Sequence, residues 1–189
     1  MLDLAFKFLA AELNSYLRAR TDSDFGEAEI CRLVDDAGKW AVKEDHLGVS
    51  LIGIEEDRIL KSQLPEHAYI DGRHVILEPE IKINLHVIIA AHFKVYEEAL
   101  KYISHVMTFF QSHPTFTQEQ YPALDSRIRR LIPELQTLSY EQLNQVWAFI
   151  GGKQIPSAVY KIRMVVLQDV EQMAVRPPVT QVTTVMHDR

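Results

Sequence analysis

Residues 138–167 read LSYEQLNQVWAFIGGKQIPSAVYKIRMVVL, and this stretch alone writes out a helix, both of its ends and the strand that follows. Ser139 and Gln142 have capping-box spacing: the Ser139 hydroxyl can accept from the N3 amide while the Gln142 side chain reaches back to the amide of Ser139. Leu138 and Leu143 stand at the two positions of a hydrophobic staple. Leu143, Val146, Trp147 and Ile150 recur at helical spacing as one apolar stripe, and Gly151-Gly152 supplies the left-handed residue that ends it. From Ser157 the period becomes two. Tyr160, Ile162, Met164 and Val166 alternate with Lys161 and Arg163, which predicts a strand with one face on a core. Each of these residues specifies architecture, and none of them specifies a reaction.

Working towards the N-terminus, RIRRLIPELQTL (residues 127–138) reads as a further strand or extended run in which Pro133 marks an edge or a bulge. KVYEEALKYISHVMTFFQSHP carries helical spacing, with Tyr96, Leu100, Ile103, Met107 and Phe110 as the expected core stripe and Pro114 closing it. Before it, in EIKINLHVIIAAHF, Ile81, Ile83, Leu85, Val87 and Ile89 alternate with Lys82, Asn84 and His86. Beyond Val87 both faces are apolar, so that half is expected to be buried on both sides or to lead into a helix. Two β-rich runs, EAEICRLVDD (27–36) and VSLIGIEEDRIL (49–60), flank a turn-like segment, and KSQLPEHAYIDGRHVI (61–76) reads as a long loop or loose excursion. Leu2, Phe6, Leu9, Leu13, Tyr16 and Leu17 at the start have the steps of an amphipathic helix. Acidic residues share its polar face, so it is expected to pack on a sheet rather than on an anionic membrane.

After Asp169 the character changes. VEQMAVRPPVTQVTTVMHDR contains Pro177-Pro178 and then a β-prone, nearly uncharged Val/Thr run. It reads either as a frayed terminus or as a strand that adds to a neighbouring subunit. The chain is therefore read as one domain over residues 1–170 and an extended C-terminal tail over 171–189.

Composition narrows the function classes. The formal charge of -6 disfavours a dedicated nucleic-acid binder, and the short basic run Arg127–Arg130 does not change that. No run reaches the roughly 20 apolar residues of a membrane helix and no secretory pattern opens the chain, so synthesis in the cytoplasm without a membrane partner is expected. The single cysteine, Cys31, cannot build a disulfide framework or a multi-cysteine zinc site and reads as a small buried hydrophobe.

Candidate chemistry is sparse. His46, His67, His74, His86, His92, His105, His113 and His187 are scattered without a short metal spacing, and His86 and His92 would stand about 20 Å apart along a strand. No phosphate-cradling glycine loop and no nucleophile elbow occur. Asp35-Asp36 and Glu97-Glu98 are adjacent carboxylates at a turn and at a helix start, where acidic residues complement the helix dipole. Arg127, Arg129 and Arg130 could clamp an anion, or simply solvate a strand edge. No catalytic, cofactor or metal residue is assigned.

The order of these motifs resembles the tail-terminator, or cap, proteins of phage-tail-like extracellular contractile injection systems of the antifeeding-prophage and virulence-cassette type. Three places carry the resemblance: the strand-to-helix run IKINLHVIIAAHFKVYEEALKYISHVMTFFQSHPTF, the capped Trp helix with its Pro-Ser turn and Tyr strand in residues 138–167, and the N-terminal helix leading into a β-rich segment. It extends over Leu2 to Gln168 and is one of pattern and spacing. It implies an α/β (α+β) fold, a mixed or antiparallel β-sheet flanked by helices, with Ser139, Trp147, Gly151 and Tyr160 as architectural residues. It further implies a homo-oligomer, a ring of six, that ends tube and sheath polymerisation at the baseplate-distal end and has the inner tube and sheath proteins as partners. Such a particle component can be released from the cell. The rival readings are a small adaptor or binding module, and a metal-dependent enzyme using dispersed histidines.

Overall fold

In the computed structural model, the described residues are 1–21, 26–57, 66–70, 73–77, 81–166 and 174–176. Among the described residues three helices, α1 (Leu2–Thr21), α2 (Tyr96–Ser112) and α3 (Tyr140–Ile150), accompany nine strands. The strands are β1 (Ala28–Ile30), β2 (His46–Glu56), β3 (Glu66–Ile70), β4 (Arg73–Leu77), β5 (Ile81–His92), β6 (Phe116–Thr117), β7 (Ile128–Leu135), β8 (Ser157–Val166) and β9 (Ala174–Arg176). Six of them form one mixed sheet in the order β1-β2-β5-β8-β7-β6, and β3-β4-β9 form a second. Among the described residues only the β1–β2 pair is parallel; the other pairs are antiparallel.

The alternation along β5 and β8 sorts side chains onto two faces. Leu85, Val87, Ile89 and Ala91 of β5, with Tyr160, Ile162 and Met164 of β8, lie in a core with the buried faces of α1 and α2. Ile88, Ala90 and Val159 point the other way and pack with Leu33, Val42 and Trp147 of α3. Both halves of the β5 expectation hold: the strand forms, and from Val87 to Ala91 every residue is buried. Around α3 the structure has the whole predicted apparatus. Ser139 accepts from Gln142 N, Gln142 Oε1 accepts from Ser139 N, and Gly151 ends the helix at φ 78°. Leu138 and Leu143 pack beside Trp147.

Three expectations need correction. On α2 the buried residues are Ala99, Tyr102, Ile103, Val106, Phe109 and Phe110, so the core face shares only Ile103 and Phe110 with the stripe read from the sequence. Tyr96, Leu100 and Met107 are 67%, 46% and 44% exposed. Both stripes are apolar, and the sheet is met by the one carrying Ala99, whose small side chain permits close approach. Residues 61–76 are not simply a loop: β3 and β4 pair from Glu66↔Leu77 to Ile70↔Arg73, so only Asp71 and Gly72 separate the strands, residue types that favour a two-residue hairpin connection. Of the run 27–36 only Ala28–Ile30 is strand. Asp35 then accepts from the amides of Ala37 and Lys39, and Val34 bridges to Trp40. Leu33 and Val42 are thereby turned under the sheet into the smaller core. In the expected C-terminal tail, Ala174–Arg176 pair with β4 of their own chain, and residues 177–189 lie outside the described residues.

β7 is a strand with a register irregularity between Ile128 and Arg130. β6 pairs with it only at Leu131 and Arg130, so Pro133 lies beyond the reach of that neighbour. Gln136 donates to Val159 O, and by antiparallel alternation Pro133 and Leu135 direct their backbone groups away from β8. Proline stands where its missing N–H breaks no ladder bond.

Candidate assembly surfaces

The residues singled out for chemistry are dispersed by the fold. His46 Nδ1 lies 2.8 Å from Glu44 O, His92 Nδ1 3.0 Å from Val42 O and His113 Nδ1 2.8 Å from Phe109 O. A carbonyl only accepts, so each of these nitrogens carries the proton. His92 also stacks on Trp40 at 5.1 Å. His86 Nε2 is 3.4 Å from Glu55, and burial pushes the pKa of His105 down. His67 and His74 occupy strand positions in β3 and β4, and His187 lies outside the described residues. Among the described residues no three His, Cys, Asp or Glu side chains come together to hold a metal ion, and no helix there is long and apolar enough to cross a membrane.

Cys31 is half-buried, and burial with the nearby Glu29 carboxylate pushes its thiol up to about 11. That is the opposite of an activated nucleophile. Glu97 and Glu98 occupy the first turn of α2, and Asp36 pairs with Arg32. Arg127 is engaged by Asp125 through two side-chain bonds of 2.8 and 3.0 Å, which hold the Asp125 carboxyl down at about 2. Its fork is already occupied, which removes it from any anion clamp.

What the fold does assemble is surface. The half of the sheet face not covered by α3 is polar. One row across it runs Glu55, Asn84, Arg163, and the next runs Gly53, His86, Lys161, Glu134. Arg163 pairs with Glu134, and Lys161 Nζ is 3.8 Å from Glu55. Glu55, Asn84, Glu134, Lys161 and Arg163, with Ile54, Glu56 and Asp57, line an open groove of about 680 Å³. At its floor Asn84 is 3% exposed, and neither Asn84 Oδ1 nor Arg163 Nε has a hydrogen-bond partner.

A second groove, of about 360 Å³, has a mixed lining. Tyr96, Leu100 and Ile103 of α2 form one wall, Leu143 of α3 another, and Ile155, Pro156 and Ser157 the rest, beside Gln154. The stripe assigned to the core by sequence is thus the wall of a surface groove. The available signal was that α2 is apolar over more than the roughly 100° that one core face requires. On α3, Tyr140 is 94% and Phe149 82% exposed. Ser139, Trp147, Gly151 and Tyr160 serve architecture: a cap, a side chain 4% exposed, a left-handed terminus and a side chain 2% exposed.

Solved structures share this fold. The chain is similar to the PVC sheath/tube terminator of an extracellular contractile injection system in its extended state, with a TM-score of 0.63 at 17% identity over 96% of this chain and 62% of that one. It is similar also to the anti-feeding prophage cap, the AFP tube terminating cap, with a TM-score of 0.60 at 16% identity over 94% of this chain and 60% of that one. The chain thus spans about three fifths of the length of these two neighbours. No curated protein matches it. The description of the Pvc16 N-terminal domain matches residues 6–181, nearly the whole sequence, and the chain belongs to that family.

Proposed function

We propose that this protein is a structural terminator of a contractile injection particle. Copies of it close into a ring of six at the baseplate-distal end of the inner tube, end polymerisation of tube and sheath, and tie the two together. The observation that carries this reading is the fold likeness, over almost the entire chain, to a sheath/tube terminator and to a tube terminating cap. The molecule's surfaces support it. A ring requires two different complementary patches on each subunit, and the groove around Asn84 and the groove beside α2 are two distinct surfaces available for such contacts. In this reading the protein works without catalysis, its partners are tube and sheath, and it travels with the assembled particle.

The test is assembly of the particle with and without this protein, read by electron microscopy. The expected result is tubes of uncontrolled length with open ends when it is missing, and a ring at one end when it is present. Particles of uniform length with closed ends in its absence would overturn the reading. Its mass in solution, near six times 21.8 kDa if the ring forms before meeting the tube, is the companion measurement.

A further inference from the structure

We draw no further inference here: the strongest candidate, the surface groove between the exposed face of α2 that bears Tyr96 and Leu100, Leu143 of α3 and the segment Ile155, Pro156 and Ser157, carries nothing because nothing in the structure shows what covers it.

Discussion

The side chain of Asn14 and the backbone of Ala28 exchange two hydrogen bonds: Ala28 N donates to Asn14 Oδ1 at 2.6 Å, and Asn14 Nδ2 donates to Ala28 O at 3.0 Å. Ala28 opens β1, an edge strand of the large sheet. A helix side chain thus takes the place of the missing neighbouring strand, pins α1 to the sheet and covers part of an edge that would otherwise pair with another chain. Asn14→Ala should lower stability by about 1–3 kcal/mol, because it strands a part-buried donor and acceptor together. Asn14→Asp, which keeps the acceptor and loses the donor, should fall between. Urea titration checks both; an Asn14→Ala protein as stable as the parent would show that the pair adds nothing.

Trp147 tests how far the smaller core depends on one side chain. It is 4% exposed and meets Trp40 edge-on at 6.3 Å, with Leu33, Val42, Ile88 and Val159 around it. Trp147→Ala should cost about 3–5 kcal/mol, as other large-to-small aromatic truncations in cores do. An effect below about 1 kcal/mol, within the usual range of surface substitutions and so out of line with a core site, would place Trp147 at an interface rather than in the core.

Two glycines of β2 separate close packing from open space. A Cβ on Gly48 would lie 2.5 Å from Val42 Cγ2 and 2.7 Å from Leu33 Cδ2, whereas one on Gly53 would meet nothing nearer than 3.8 Å. Gly48→Ala should therefore be destabilising by about 1–3 kcal/mol through overpacking. Gly53→Ala should be near neutral. Thermal melts of the two variants side by side decide it, and equal melting points would mean that the segment bearing Leu33 and Val42 simply moves aside.

Cys31 gives a pH-dependent readout. Its thiol is pushed from an ordinary 9.0 up to about 11 by burial and then by Glu29. Alkylation at pH 8 should be far slower in the native protein than in the same protein in denaturant, since the thiolate is the reacting species. Because the folded value is the higher one, the neutral thiol's contribution to stability is full below about 9 and is lost as the pH rises through about 11. Native and denatured alkylation rates that match would show the thiol to be freely ionising.

The sequence by itself determined the local elements whose signals are carried by neighbours in the chain. The Ser139–Gln142 cap, the Gly151 terminus, the alternation of β5 and β8 and the periodicity of α1 all depend on residues within a few positions of one another, and all of them stand in the structure. The pattern of a terminator-like fold was legible for the same reason. Tertiary structure decided which of two apolar stripes on α2 meets the sheet, because helical period alone cannot rank Tyr96, Leu100 and Met107 against Ala99, Val106 and Phe109. It decided that Ala28, fourteen residues away from Asn14, is that side chain's partner, and that Glu55, Asn84, Arg163 and Glu134 share one groove. Those are long-range juxtapositions across strands, set by register and topology, and no local spacing encodes them.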